Sequence, residues 1–207
     1  MSGTPTATAL ADRRARRTAA TRREILDAAW ELARRAGLTA LSMRDLGTHV
    51  GMRAQSLYTY FPSKHSIYDA MFREANEELL ARIRYDGVPR DPASGLQAQA
   101  AAFLSFCIED QVRYQLLFQR TIPGFEPSDE AYAPALAVLD TARGALRACG
   151  VDAAGALDAW TALTAGLAAQ QNANEPGGDR WVRLLGPLTE MFLGYFSNKA
   201  QASRRRR

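Results

Sequence analysis

From residue 53 to 64 the chain reads Arg-Ala-Gln-Ser-Leu-Tyr-Thr-Tyr-Phe-Pro-Ser-Lys, a run dense in hydrogen-bonding side chains and free of any nucleophile–base pair. The chemistry on offer is recognition of a duplex. Gln55 can pair bidentately with adenine, Ser56 and Thr59 can donate or accept, and the Thr59 methyl can meet a thymine methyl. Tyr58 and Tyr60 can each set a hydroxyl on a phosphate. Lys64, opening a helix, adds its ammonium to the free backbone N–H groups that hold phosphates at such positions. Arg44 and Arg53 are further cations, the first a backbone clamp, the second a phosphate or guanine contact. Each also has an ordinary reading: Tyr58 as seam packing, Gln55, Ser56 and Lys64 as solvated surface.

These groups need a rigid mount, and the flanking pattern supplies one. Ser42 with Asp45 three residues on has cap spacing, Met43 and Leu46 face inward, and the helix runs to about His49 before Gly51 breaks the chain. A third helix covers about 54–60, with Leu57 and Phe61, four apart, as its inner face and Pro62 as its stop. Ser63 then caps a fourth helix to about Tyr85, carrying Ile67, Met71, Leu79 and Ile83 inward. Ahead of these, Thr21 and Glu24 have capping-box spacing, Ile25, Ala29, Leu32 and Ala36 recur on one face, and Gly37 closes the helix. Two short helices joined by a Gly-containing turn predict a helix-turn-helix. Its second helix must be short and polar outside to enter a major groove about 12 Å wide. His49 reads as a turn residue near phosphate, and His65 as surface or a phosphate neighbour.

Charge points to the same segment. Residues 1–64 hold 11 Lys and Arg against 5 Asp and Glu; residues 65–207 hold 15 against 17, for a total of +4. A basic head on an acidic body suits a polyanion met by the head alone, although a solvated face explains surface charge too. Residues 1–20 lack apolar periodicity and are expected to be a disordered basic arm. Its Arg13, Arg14, Arg16 and Arg17 either track phosphates or a minor groove or simply keep the terminus soluble. A basic tail, 201–207, ends the chain.

Composition excludes other classes. No apolar run approaches the length of a membrane span and no export signal opens the chain, so a cytoplasmic protein associated with the nucleoid is expected. Cys107 and Cys149 lack partners at metal-ligand spacing and read as free thiols, so neither a metal nor a cofactor is expected. A Gly-rich phosphate loop, a Gly-x-Ser-x-Gly elbow and a His-rich set are all missing, which argues against an enzyme.

The residues just described resemble the DNA-binding domain of the tetracycline-repressor (TetR) family of bacterial regulators. The resemblance is carried by Ile25-Leu26-Asp27-Ala28-Ala29, Gly37-Leu38, Met43-Arg44-Asp45-Leu46 and above all Leu57-Tyr58-Thr59-Tyr60-Phe61-Pro62-Ser63-Lys64, over residues 21–67. Gly47 stands where the family usually has Ala, and as a helix-interior glycine it should cost about 0.5–1 kcal/mol. Val50 replaces a small Ala. Arg53 replaces a hydroxyl cap and cannot accept a hydrogen bond. The resemblance implies an all-α fold: a three-helix DNA-binding domain (21–67), a linking helix (68–85) and an effector-binding and dimerisation domain (86–200).

The larger half reads as helices at about 93–109, 111–120, 129–148, 152–173 and 179–198, with a loop from Asp86 to Gly95. Phe103, Phe106, Tyr114, Leu117 and Phe118 form one aromatic stripe and Trp160, Leu163 and Leu167 another, with Gln170, Gln171 and Asn172 as polar anchors. These residues can line an apolar pocket or simply fill a bundle core. Small residues on the last two helices, with Met191, Phe192, Tyr195 and Phe196, suit a homodimer seam. The expected function is a repressor that binds a palindromic double-stranded operator as a dimer and is released by a small, largely apolar effector. The alternative is a constitutive DNA-binding protein or an activator without an effector.

Overall fold

A computed structural model describes residues 7–84 and 90–205. Residues 1–6 of the expected arm, Tyr85 at the end of the expected linking helix, 86–89 of the expected loop, and Arg206 and Arg207 of the tail lie outside the described residues. The described chain is all α, without a strand. Its helices are α1 Ala7–Ala36, α2 Met43–His49, α3 Ala54–Leu57, α4 Lys64–Ile83, α5 Pro92–Glu109, α6 Gln111–Phe118, α7 Asp129–Ala148, α8 Ala156–Asn174 and α9 Leu185–Arg205. Among the described residues no helix is long and apolar enough to cross a membrane.

The head is built on the second half of α1. Ile25, Leu26, Ala29, Trp30 and Ala33 are buried against Leu38, Leu41, Leu46, Leu57 and Phe61. Gly37 ends the helix at φ +88°, with its N–H on the Ala33 carbonyl at 2.8 Å. Helix α4 belongs to two cores at once. Ile67, Tyr68 and Met71 close the head from below, and the buried Tyr68 hydroxyl donates to the Leu38 carbonyl. Farther along, Phe72, Ala75, Asn76, Leu79 and Ile83 are buried, where α4 packs on α5, α6 and, most extensively, α7. The body core gathers Leu96, Leu104, Phe106, Leu146, Trp160 and Leu167, with α8 and α9 packed on α5.

Several boundaries differ from the sequence reading, each for a local reason. Helix α1 starts at Ala7, so the segment expected to be structureless is helical from there. Ala and Arg are strong helix formers, and Thr21, expected to open the helix, instead donates its hydroxyl to the Arg17 carbonyl inside it. Helix α3 is a single turn. Tyr60 and Phe61 both donate their N–H to the Leu57 carbonyl, and Pro62 disfavours helical backbone at Phe61. Helix α5 begins inside the expected loop, at Pro92, because Asp91 and Ser94 cap it reciprocally. Helix α8 starts late, after Gly155 at φ +78°. Before α9, Glu175 and Gln171 accept the N–H groups of Arg180 and Trp181, holding those residues out of helix.

Candidate nucleic-acid interface and the cavity behind it

The helix-turn-helix is held by its turn. Ser42 caps α2, accepting the Asp45 N–H at 3.1 Å. Gly51 reverses the chain at φ +67°, a left-handed conformation that suits glycine, and the Met52 N–H then bonds back to the Gly47 carbonyl at 2.8 Å. A Cβ at Gly47 would lie 2.7 Å from the Met52 oxygen and 3.1 Å from the Ala54 nitrogen. Helix α3 thus rests directly on the backbone of α2, and the glycine read from sequence as a cost is the condition for that approach.

Below α3, Leu57 and Phe61 are almost fully buried. The Arg22 guanidinium stacks 4.2 Å above the Phe61 ring and donates to the Tyr60 carbonyl, pinning the end of the recognition turn to α1. Above it, Arg53, Gln55, Ser56, Tyr58 and Thr59 are exposed, Tyr58 at 50%, and Tyr60 is half-buried. Arg53 occupies the cap position of α3 in extended backbone and makes no cap hydrogen bond. Arg44 is exposed on α2. Lys64 begins α4 with its ammonium 5.7 Å from the Tyr68 ring centre, and Ser63 and Ser66 cap one another beside it at 3.1 Å. His49 meets Glu31 of α1 at 3.0 Å, and His65 lies beside the Tyr68 and Phe125 rings; neither stands alone at the surface.

Head and body are tied by a chain of ion pairs. Asp110 caps α6, accepting the N–H groups of Val112 and Arg113, and takes the Arg34 guanidinium of α1 at 2.8 Å. Burial alone would raise the Asp110 carboxyl, but the Arg113 amide and Arg34 hold it below the usual carboxylate range. Arg113 also pairs with Glu78 of α4, beside Arg82, which reaches Glu109 at 2.5 Å. Burial likewise opposes the Glu78 charge, and Arg113 and Arg82 together keep its carboxyl low. Cys107 lies buried beneath this chain, its thiol pushed up by desolvation.

Between α4, α5, α6, α7 and α8 lies a cavity of about 290 Å³. Its wall is apolar, including Phe72, Leu79, Phe103, Phe118, Tyr132 and Trp160. The polar groups on it are neutral: Asn76, Gln99, Thr161, Thr164 and the Tyr132 hydroxyl. Asn76 gives its amide N–H to the Phe72 carbonyl at 2.9 Å, and Thr164 its hydroxyl to Trp160 at 3.0 Å.

Of the pocket residues expected from sequence, Phe103, Leu117, Phe118 and Trp160 border this space. Phe106 lies elsewhere, buried under the Arg113 and Arg82 guanidinium groups at 4.7 and 5.5 Å. Tyr114 and Leu167 are buried core and Leu163 packs against it, all outside the cavity lining. Gln170 is exposed and accepts from Asn174. Gln171 and Asn172 serve the backbone, Gln171 bonding to Trp181 and Glu175 and Asn172 to Cys107. The α4 contribution was overlooked, although Asn76 interrupting the apolar Phe72–Leu79–Ile83 stripe is a legible signal. A buried polar residue on an apolar face asks for a partner.

Among the described residues, one helix, α4, thus joins an exposed, rigidly mounted turn to a body that contains a cavity. Residues 25–71 match the family model described as bacterial regulatory proteins, tetR family. The match covers the helix-turn-helix with the adjoining parts of α1 and α4. No curated protein sequence matches the chain significantly. Solved structures share the fold. The structure of SCO4313 is 23% identical, with TM-score 0.72, covering 92% of this chain and 100% of its own. PfmR, a TetR-family regulator of Thermus thermophilus, is 22% identical, with TM-score 0.62 and coverages of 82% and 96%. FadR of Bacillus subtilis, solved with stearoyl-CoA, is 18% identical, with TM-score 0.66 and coverages of 82% and 96%.

Proposed function

We propose that this chain is a transcriptional regulator of the TetR type, which binds a palindromic operator as a homodimer and is released when a small, uncharged, largely apolar molecule enters the cavity. The observation that carries the reading is the double membership of α4, whose Ile67 and Met71 close the head while Phe72, Asn76 and Leu79 border the cavity. A ligand that fits better when α4 is displaced tilts the head by its differential affinity for the two states. Among the described residues the wall carries no charged side chain, so a charged effector would lose its hydration there without a counter-ion.

The homodimer is supported by the outer faces of α8 and α9. Met191 and Tyr195 are 62% and 60% exposed beside Leu184, and Ala159, Ala162, Gly166 and Ala169 leave a shallow face on α8 that admits close helix approach. Two heads on a two-fold axis would read half-sites about 34–36 Å apart or a related spacing. The test is selection of bound duplexes from a random pool, followed by titration of the winner with and without uncharged apolar compounds that raise the protein's melting temperature. Recovery of inverted repeats and ligand-dependent loss of affinity are expected. Unpatterned sequences, or compounds that bind without changing DNA affinity, would overturn the reading.

A further inference from the structure

We infer that the outer part of α1 is a second DNA-binding element, a projecting basic helix that grips the phosphates flanking the sequence read by α3. The inference rests on the head being a DNA reader and extends beyond residues 25–71, which carry the family match. Helix α1 is continuous from Ala7 to Ala36, yet only its part from Thr21 onward contributes to the head, and residues 12–20 are all exposed. The outer segment therefore packs on nothing in its own head. At 1.5 Å per residue it extends the helix by about 20 Å, the length of about six base pairs.

Its charge has no internal use. Arg13, Arg14, Arg16 and Arg17 are exposed, and Asp12 is the sole carboxylate among the first 23 residues. Elsewhere on α1 and α4 several arginines are matched with acids one turn away: Arg23 with Asp27, Arg73 with Glu77, Arg82 with Glu78. In the outer segment the spacing is reversed, since Arg13 meets Arg16 and Arg17 at three and four residues, a pairing that repels within a helix. A helix kept only for solubility gains from interleaved acids. One that is to lie along a polyanion gains from their exclusion, because the phosphates supply the missing counter-charge and release their own counterions. The short side chains between the arginines, Ala15, Thr18 and Ala19, leave the guanidinium groups unobstructed for bidentate phosphate contacts.

The test compares the full chain with a variant in which Arg13, Arg14, Arg16 and Arg17 are all replaced by Ala, and another in which all four become Lys. The probe is a duplex recovered by selection from a random pool, made both trimmed to its protected core and with ten extra base pairs on each side. Affinity is measured across a salt series, with helicity and melting temperature as controls. These side chains support no core, so all three proteins should melt alike. The wild type should bind the long duplex at least tenfold more tightly than the short one. In the Ala variant that difference should vanish, and the salt slope should shrink by between about 0.9 and 3.6 per bound protomer, one to four phosphate contacts. The Lys variant should retain most of the slope. An unchanged slope in the Ala variant, or a Lys variant as weak as the Ala one, overturns the second element and leaves the head reading standing. A wild type that retains no duplex overturns both.

Discussion

Arg34 on α1 and Asp110 at the cap of α6 join the DNA-binding head to the wall of the cavity through a 2.8 Å ion pair. Helix α6 carries Asp110 at its start, and at its other end Leu117 and Phe118 line the cavity. Under the proposed function, a ligand pressing on Phe118 would act on the same helix that holds Arg34, in parallel with its action on α4.

Removing the pieces of this link separates its parts. Asp110→Ala loses the cap and the Arg34 ion pair, and should cost about 1–3 kcal/mol in urea denaturation. Asp110→Asn keeps a capping oxygen and should cost less. Arg34→Gln, at a half-exposed position, should cost under about 1 kcal/mol while weakening the ligand's effect on operator affinity. Equal destabilisation by the Ala and Asn variants would show that the cap contributes nothing.

Gly47→Ala sets helix propensity against contact. Propensity alone offers a gain of about 0.5–1 kcal/mol. The new methyl, however, lies 2.7 Å from a backbone oxygen that cannot rotate away, and overpacking of this kind costs about 1–3 kcal/mol. Net destabilisation is expected in chemical denaturation, with a further loss of operator affinity because α3 is the element displaced. A stabilised variant with full affinity would contradict the contact.

The acid limb of stability should report Asp110 and Glu78. Burial opposes the charge of each, yet Arg34, Arg113 and Arg82 hold both carboxyls below their unfolded values. Depressed groups contribute stability above the unfolded range, near pH 4, and that contribution fades as pH falls through the folded values. Their contribution to the melting temperature should therefore be constant from pH 7 to about pH 5 and decline below about pH 4. An Asp110→Asn/Glu78→Gln double variant should melt lower at pH 7 and lose less on acidification. Parallel curves would assign acid loss to other groups.

Blocking the cavity should uncouple it from the head. Ala135→Trp places an indole in a space of about 290 Å³. Compounds that raise the wild-type melting temperature should no longer do so, while operator affinity stays within about threefold. Undiminished thermal stabilisation would locate their binding elsewhere.

The sequence carried the framework of the fold because its signals are local. Ser42 and Ser63 cap where their spacing indicated, α7 spans Asp129–Ala148 as its flanking breakers suggested, and Leu57 with Phe61 forms the underside of the recognition turn. The exposure of the polar side chains around α3 was legible because groups on one short turn reach the surface together. The cavity was less so. Phe106 and Phe103 are equally aromatic and three residues apart, and only the placement of α6 and α7 decides that Phe103 borders a void while Phe106 is buried under two guanidinium groups. The Gly47 contact likewise depends on a turn folding back, and periodicity says nothing of it.

Operator binding by this head requires the outer face of α3 and the first residue of α4 to meet a duplex, and affinity for the selected operator at moderate salt tests this most directly. Tyr58→Ala/Lys64→Ala alters one exposed and one half-buried side chain and should melt close to the wild type. Losing one hydroxyl and one ammonium contact per head should weaken binding by about a hundredfold or more. A folded double variant that binds the operator as tightly as the wild type would contradict the assignment of this surface.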